Sequence, residues 1–437
     1  MKIQIISRET LKPSSPTPQS LRDFKLSFID QLIPSVYVSM LSFYSSTNGS
    51  TNNHFERSEK LKKSFSDMLT LFYPLAGKTV DNITIDCSDY GALFVEARVD
   101  CTMSEFLQQT NWDQLGEFTP IKLESTEETV GFFSVVQVSF FDCGGVAISM
   151  TISHKLADAA TAAVAMRCWA VTTIGSTDAA EAVVPMYNSA EIFPPRRFSA
   201  AGVPPLVDFK KEKFPIRRLV FEASKVAALK ALAVSESVER PTRAESVTAL
   251  IWKCALNAAR SNSGVSRPSM LTRAVNIRRK IEPPLPDNSV GNLIGFYIAE
   301  KDESKMELNS LVHEIRDKLK VFDKNYVKML QQEDAFETMM EYLKMTATQM
   351  MKRDMEFYVC TTWCNFSFYD IDFGWGRPVW VTMGSGNAKN VIQLMDTNKG
   401  DGSIEAWVAL SEQDMYLFER DPELLAYASL NPSVLDT

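Results

Sequence analysis

Ser153-His154-Lys155-Leu156-Ala157-Asp158 marks the point at which a predicted strand gives way to a predicted helix. The apolar, β-branched run from Val146 to Ser153 predicts a buried strand. The alanine-rich run from Ala159 to Ala170 predicts a helix. Asp158 stands at the N-cap position, where a carboxylate can accept hydrogen bonds from the free amides of the first turn. His154 is therefore expected at a strand-to-helix junction, with its side chain free to face a cleft.

His154 is the strongest candidate for a general base in this sequence. Of the three histidines, His54 and His313 lie among polar residues, whereas His154 lies between apolar segments. A histidine changes its charge near neutral pH and can take a proton from a substrate in a cleft. A structural histidine that is hydrogen-bonded within the core fits the local pattern equally well. The pattern alone leaves both interpretations open.

The composition is that of a globular protein without a basic surface. The 437 residues are 45% hydrophobic and 23% charged, with a formal net charge of −8. This length predicts about two domains, and the negative charge argues against nucleic acid and anionic membranes as partners. No segment approaches the roughly 18 apolar residues that span a bilayer. The N-terminal region up to Ser20 has no apolar segment of the signal-peptide type.

The cysteines argue against a metal site. There are seven of them, scattered along the chain and without a CxxC pair. With so few histidines, a structural zinc site is not expected. The simplest interpretation is a set of reduced thiols, and hence a cytoplasmic protein.

Strands and helices alternate in both halves of the chain, which predicts an α/β fold with mixed sheets. Six prolines between 181 and 215 indicate a long crossover segment. We therefore predict an N-terminal domain at 1–180, a linker at 181–215 and a C-terminal domain at 216–437. Within the C-terminal domain, Leu308 to Met355 is expected to be mostly helical. Its many methionines suit either a core helix or the wall of an adaptable pocket.

A second distinctive segment is Asp372-Phe373-Gly374-Trp375-Gly376-Arg377-Pro378. Two glycines around a tryptophan, with a carboxylate in front of them, suit a tight turn fixed by an ion pair. A catalytic carboxylate is the alternative, although the glycine and proline content favours the structural turn.

Taken together, His154-x-x-x-Asp158 and Asp372 to Gly376 resemble the two signature motifs of the plant BAHD acyl-CoA-dependent acyltransferases. Within the family, His-Lys-Leu-Ala-Asp-Ala-Ala-Thr looks most like the alkaloid acetyltransferase branch. Ala159 departs from the glycine that many members have there, which does not put activity in doubt in that branch. The resemblance covers nearly the whole chain and includes Asp30-Gln31, Tyr73 to Lys78, Phe140 to Gly145, Phe193-Pro194-Pro195, Ile251-Trp252-Lys253, Val275 to Arg278, Pro283 to Pro286, Gly291-Asn292 and Gly400 to Trp407.

The resemblance implies two domains like chloramphenicol acetyltransferase, joined by the crossover segment, with a channel between them. Acyl-CoA, most simply acetyl-CoA, would act as co-substrate and an alkaloid or related alcohol as acceptor. His154 would take the proton from the acceptor hydroxyl as its oxygen attacks the thioester. The CoA thiolate is a good leaving group, so neither a metal, a bound cofactor nor a covalent nucleophile is required. The protein is expected to be a monomer.

The resemblance also implies roles for further residues. Trp363 matches a tryptophan whose indole N–H reaches the tetrahedral intermediate, and Thr361 matches a residue of the same pocket; packing on a strand explains both equally well from pattern alone. Asp158 invites a triad reading in which it orients His154, but in the family this aspartate pairs with the arginine that Arg278 matches. The turn residues Asp372, Gly374, Trp375 and Gly376 are carried over as structural. The substrate and CoA channel is expected to include Asn276, Ser246 and Lys253.

Two alternatives remain at this point. The same mechanism could serve another acyl donor, or a sugar, terpenoid, phenolic or volatile alcohol. A protein of another class, which binds a metabolite without turnover, could share the fold; the presence of His154 together with Asp158, Trp363 and Arg278 weighs against it.

Overall fold

The computed structural model describes residues 1–46, 54–110, 112–121, 125, 130–175, 183–198, 213–301, 307–350, 355–384 and 388–436. Within these ranges the chain forms two large mixed sheets and a small three-stranded one. Helices pack against both large sheets.

The first sheet has six strands in the order β1-β6-β7-β8-β3-β13. Their bounds are β1 Ile3–Leu11, β3 Tyr37–Tyr44, β6 Ala92–Val99, β7 Ser134–Phe141, β8 Val146–Ser153 and β13 Trp380–Met383. The small sheet consists of β2 Asp23–Lys25, β4 Lys78–Thr79 and β5 Thr84–Asp86. All eight residues of β8 are buried, as the apolar run that precedes His154 predicts.

The second sheet has seven strands in the order β11-β10-β12-β14-β15-β9-β16. Their bounds are β9 Ile216–Phe221, β10 Ser269–Asn276, β11 Ile294–Lys301, β12 Glu356–Thr362, β14 Val391–Asp396, β15 Ile404–Ala409 and β16 Ser429–Leu430. The strands β10, β12 and β14 run parallel to one another, and the other pairings in this sheet are antiparallel.

The α-helices fall into groups that follow the two sheets. In the first part of the chain they are α1 Phe28–Leu32, α2 His54–Leu71, α3 Met103–Gln108, α4 Trp112–Leu115, α5 Ala159–Ile174 and α6 Ser189–Ile192. In the second part they are α7 Ala223–Leu232, α8 Arg243–Ser263, α9 Leu308–Leu319, α10 Lys324–Gln331, α11 Ala335–Met350, α12 Glu412–Phe418 and α13 Pro422–Tyr427. The helix predicted after Asp158 is α5, and the Asp158 side chain accepts from the amide of Thr161. In the segment from Leu308 to Met355 that was predicted to be mostly helical, the described residues form the three helices α9, α10 and α11, and residues 351–354 lie outside the described ranges.

Each large sheet has its own hydrophobic core. The larger cluster packs α8 and α9 against the second sheet and includes Trp252 and Leu311. The other packs α2 and α5 against the first sheet and includes Phe65 and Trp169. The predicted α/β fold with mixed sheets is confirmed.

The chain crosses between the two sheets late in the sequence. β13, which lies in the predicted C-terminal domain, pairs with β3 at the edge of the first sheet. Met186, in the predicted linker, forms an isolated bridge with Ser289. The division at 180 and 215 stays a prediction, and part of that linker lies outside the described residues. By position along the chain alone, β13 would have been assigned to the wrong sheet.

Two local features differ from what the sequence suggests. The polar N-terminal segment contains β1, whose side chains are exposed or half-buried at the sheet edge. His54 does not lie in purely polar surroundings, since its ring stacks on Phe140 with the ring centroids 5.0 Å apart. His154 nevertheless remains the histidine at the strand-to-helix junction.

No helix in the described ranges is both long enough and apolar enough to cross a membrane.

Candidate active site

A cavity of about 800 Å³ is lined by residues from both halves of the chain. The first half contributes the segment from 26 to 38, the hairpin from 79 to 85 and the junction that carries His154. The second half contributes one face of the second sheet together with α10 and α11. His154, Thr361, Trp363 and Asn276 all line this cavity, so it brings together the predicted catalytic pair, the predicted pocket residue and one predicted channel residue.

The ring of His154 is held in one orientation by Asn292. His154 Nδ1 lies 3.0 Å from Asn292 Oδ1. The Asn292 amide nitrogen donates to the carbonyl oxygen of His154 at 2.7 Å and to Asp30 Oδ1 at 2.8 Å, which turns its oxygen towards the ring. Because that oxygen can only accept, Nδ1 carries the hydrogen and Nε2 keeps its lone pair. This is the tautomer that a general base needs.

The environment of His154 favours its neutral form. Its ring is open to the cavity but is otherwise enclosed by protein. Burial lowers the pKa of His154 below its usual value, although its hydrogen bonds and the nearby carboxylates of Asp158 and Asp30 act in the opposite direction. A neutral imidazole at neutral pH can accept a proton.

The series of hydrogen bonds that begins at His154 passes through Asn292 and ends at Asp30. This carboxylate also accepts from the amide and the hydroxyl of Ser27, at 2.9 and 2.6 Å. Burial raises the pKa of Asp30, and the hydrogen bonds from Ser27 and Asn292 oppose that rise. Asn292 and Asp30 were not singled out as site residues from the sequence, although both stand in segments that carry the family resemblance. Their role depends on a contact 262 residues apart in sequence.

Asp158 faces Arg278 and not the histidine ring. Arg278 Nη1 donates to Asp158 Oδ2 at 2.7 Å, and Nη2 donates to Oδ1 at 3.0 Å. The same two oxygens accept from the amides of Thr161 and Leu293. The pair is almost fully buried, with side-chain exposures of 1% for Arg278 and 3% for Asp158. This geometry ties the start of α5 to the second half of the chain.

The Arg278 guanidinium has further partners that complete its hydrogen bonding. Nε donates to the carbonyl of Ser289, and Nη2 donates to the Thr161 hydroxyl and the Gly291 carbonyl. Burial alone would raise the pKa of Asp158, but Arg278 and the two backbone amides hold it below its usual value. A buried ion pair that is satisfied on all sides is costly to break by removing one partner.

The second sheet presents a flat wall to the cavity. In one row across it, Thr361 of β12 pairs with Gln393 of β14, which pairs with Trp407 of β15. Trp363 follows β12 and stacks near Phe368, with the ring centroids 5.5 Å apart. Its indole N–H has no hydrogen-bond partner among the described residues. Asn276, at the end of β10, accepts from the backbone and the guanidinium of Arg278.

Ser246 and Lys253 are not brought to the cavity. Both lie on α8, where the Ser246 hydroxyl donates to the carbonyl of Thr242 in its own helix. Lys253 pairs with Glu423 at 2.7 Å. Ser246 is thus turned towards the backbone of its own helix and Lys253 towards α13. The sequence pattern did not reveal these orientations.

The Asp372 side chain fixes its turn by accepting hydrogen bonds from backbone amides. The sequence had instead predicted an ion pair in this turn, and that prediction is corrected. Asp372 Oδ1 accepts from the amides of Gly374, Trp375 and Gly376 at 2.7 to 2.9 Å. Arg377 instead pairs with Asp370 at the surface. The turn also anchors Trp375, whose ring lies 4.2 Å below the Arg57 guanidinium. Asp372 does not line the cavity.

The cysteines do not provide an activated nucleophile. All seven are free thiols. Burial raises the pKa of Cys168 to about 11 and of Cys364 to about 12, and it also raises the pKa of Cys360, which lines the cavity. A thiol with a raised pKa is a poor source of thiolate. In the described part of the chain, no group of three or more histidine, cysteine or acidic side chains could hold a metal ion.

Comparison with known proteins adds to this geometry. The model of the Transferase family matches residues 1–425. Over 432 residues the chain is 40% identical to akuammiline synthase 1 of Alstonia scholaris, with 98% of each chain covered. It is 36% identical to limonoid 21-O-acetyltransferase of Melia azedarach, with 100% of each chain covered.

Among solved structures, the fold is similar to that of vinorine synthase. The two superpose with a TM-score of 0.82 at 32% sequence identity, covering 98% of this chain and 99% of the other. The two-sheet arrangement described above is therefore shared by a relative of known structure.

Proposed function

The chain belongs to the Transferase family, the BAHD acyltransferases, and on that premise we propose that it transfers an acetyl group from acetyl-CoA to a hydroxyl of an alkaloid or related specialised metabolite. The family assignment makes it an acyl-CoA-dependent O-acyltransferase. The acetyl group and the acceptor class are suggested by the names of its relatives. The protein is proposed to work as a monomer in the cytoplasm.

His154 is proposed as the general base. The observation that carries this proposal is the hydrogen bond from His154 Nδ1 to Asn292, which leaves Nε2 available in the cavity. Nε2 takes the proton of the acceptor hydroxyl as its oxygen bonds to the thioester carbon. The tetrahedral intermediate then collapses, the carbon–sulfur bond breaks, and the CoA thiolate leaves and is protonated by the imidazolium.

Trp363 is proposed to stabilise the tetrahedral intermediate. An indole N–H in the wall of the cavity, without a partner in the described part of the chain, can donate to the oxygen that becomes negative during transfer. A single donor of this kind is worth on the order of 10²-fold in rate. Thr361 shapes the same wall.

Transfer is proposed to be direct, without an acyl-enzyme. We expect kinetics in which both substrates bind before a product leaves, and no gain in protein mass after mixing with acetyl-CoA alone. The raised pKa values of the buried thiols support this expectation. An acetyl group found on a cysteine peptide, and able to pass to the alcohol, would overturn direct transfer.

The test of the function is release of free CoA from acetyl-CoA in the presence of a panel of hydroxylated alkaloids and other alcohols, with products identified by mass. His154→Ala should fold normally and lose nearly all acetyl-transfer activity. His313→Ala is the matched control and should retain that activity. Activity of His154→Ala within a few-fold of wild type would contradict the general-base role. If no alcohol in the panel stimulates CoA release, a non-catalytic binding protein becomes the better interpretation.

The pH dependence gives a second readout. Because burial lowers the pKa of His154, kcat/KM should rise with pH, with the midpoint of the rise below pH ~6.5, the ordinary histidine value. A midpoint well above that pH would mean that another group supplies the base.

A further inference from the structure

Two buried polar atoms in the cavity wall have no hydrogen-bond partner among the described residues. They are Nδ2 of Asn82, in the hairpin between β4 and β5, and Oε1 of Gln393, in β14. A residue that lines a substrate cavity and whose side-chain amide is not fully used by the protein is a candidate for hydrogen-bonding the substrate. Gln393 is the stronger of the two, because it lies in an inner strand of the second sheet and the residue is only 8% exposed.

Apart from Thr361, the cavity wall around Gln393 is largely apolar. The neighbouring row of the same wall consists of Val359, Val391, Ala409 and Ile216, which pair in register across four strands and all line the cavity. Trp407, beside Gln393, packs against Trp112 with ring centroids 4.9 Å apart, and both indoles line the cavity. A broad apolar wall of this kind fits a polycyclic body better than it fits a thin, polar pantetheine arm.

Gln393 lies along the same cavity wall as Trp363. Gln393 lies one strand away from Thr361, and Thr361 lies two residues before Trp363. With a strand spacing of about 4.8 Å and a rise of about 3.3 Å per residue, the Gln393 backbone is about 8 Å from that of Trp363.

We propose that Gln393 is a specificity-determining residue that hydrogen-bonds a second polar group of the acceptor, which lies on a largely apolar ring system and apart from the hydroxyl that is acetylated. The amide can serve a hydroxyl through either end, since its oxygen accepts and its nitrogen donates. The inference rests on the proposed acetyl transfer. It narrows the acceptor to a polycyclic alcohol with at least two polar groups.

The experiment compares wild type with Gln393→Leu on a matched pair of acceptors. The probes are a polycyclic diol that wild type acetylates at one hydroxyl and its analogue without the second hydroxyl. We expect kcat/KM for the diol to fall about 10-fold, while KM for acetyl-CoA stays within about 2-fold. The preference of wild type for the diol should disappear in the variant, because a site built to bind a hydroxyl rejects the analogue that lacks it.

A measurement of Tm distinguishes acceptor binding by Gln393 from a structural role, and this measurement requires no acceptor. An unpaired buried amide costs stability in the free protein, so Gln393→Leu should raise Tm by about 1–3 °C. Thr397→Val is the matched control, because the buried Thr397 hydroxyl also lacks a partner among the described residues but lies outside the cavity. It should raise Tm in the same way and leave the preference for the diol unchanged.

Each other outcome overturns the inference. A fall in Tm for Gln393→Leu, with equal losses on both probes, would mean that the amide supports the fold. A rise in KM confined to acetyl-CoA would mean that Gln393 contacts the pantetheine arm. An unchanged preference for the diol in a variant of normal stability would also contradict it. If wild type acetylates no alcohol at all, it is the proposed function that fails, and a lowered Tm would still count separately against the role of Gln393.

Discussion

Asp158 and Asp372 are the acidic residues of the two signature motifs, and the protein uses them in different ways. Asp158 is 3% exposed and faces a guanidinium that comes from the other half of the chain. Asp372 is only partly buried and accepts from three backbone amides within four residues of itself. The first holds two distant segments together, and the second shapes a local turn.

From this difference we infer that a carboxylate in a sequence motif can serve the fold and take no part in the reaction. Neither oxygen of Asp158 is left for the ring of His154, whose Nδ1 is occupied by Asn292. Asp372 lies outside the cavity lining altogether. We therefore expect substitution of either residue to act mainly on stability, and to act more strongly where the partner is a buried charge.

The sharpest test of this comparison is Asp158→Asn. It leaves the buried Arg278 guanidinium without its carboxylate, and we expect the free energy of unfolding to fall by about 3–5 kcal/mol, measured by urea denaturation. Asp287→Asn is the matched control, because Asp287 pairs with Arg279 at the surface with a side-chain exposure of 77%. Surface pairs contribute little. A fully stable but inactive Asp158→Asn protein would favour a catalytic triad instead.

Asp372→Ala should cost less. It removes the acceptor of three amides in a partly exposed turn, and we expect a loss of about 1–2 kcal/mol in the same denaturation assay. Asp370→Ala is a suitable control, since Asp370 pairs with Arg377 at the surface and its loss should change stability very little. A loss for Asp372→Ala as large as that for Asp158→Asn would remove the distinction drawn between the two motifs.

Gly376→Ala tests the backbone of the turn without removing any hydrogen bond. Gly376 has φ +97°, and an added Cβ would meet no atom within 4 Å, so the cost is conformational strain alone. We expect a loss of about 1 kcal/mol. Gly116→Ala also meets no atom, and without a left-handed backbone it should be close to neutral. Equal effects at the two glycines would show that the turn does not depend on the conformation of Gly376.

The last prediction concerns pH: the difference in stability between wild type and Asp158→Asn should depend on it. The folded pKa of Asp158 lies below its unfolded value, so the unfolded chain takes up the proton first as the pH falls. The stabilisation is complete above the unfolded value of about 3.9 and is lost as the pH falls towards the folded pKa. The difference in stability between wild type and Asp158→Asn should therefore narrow below pH ~4. A difference that stays constant down to pH ~2.5 would contradict an ionised Asp158.

The sequence predicted the parts of this protein that depend on local pattern. β8 and α5 were recognisable because a continuous apolar run ends at a capping aspartate, and both form as predicted. β14 was missed, although it is an inner strand of the second sheet, because Val391–Asp396 is short and lies between polar segments. Asn292 and Gln393 acquire their importance only through contacts that folding creates. Periodicity carries no information about such contacts.

The pairing of β13 with β3 has a consequence for the synthesis of the protein. Tyr37–Tyr44 leaves the ribosome early, but the strand that covers its outer edge ends at Met383. At about 5–20 residues per second, this edge waits roughly 20–70 s for its partner. During that time it is an open template for another nascent chain. The first sheet is therefore among the earliest parts of the molecule to be made and among the last to be closed.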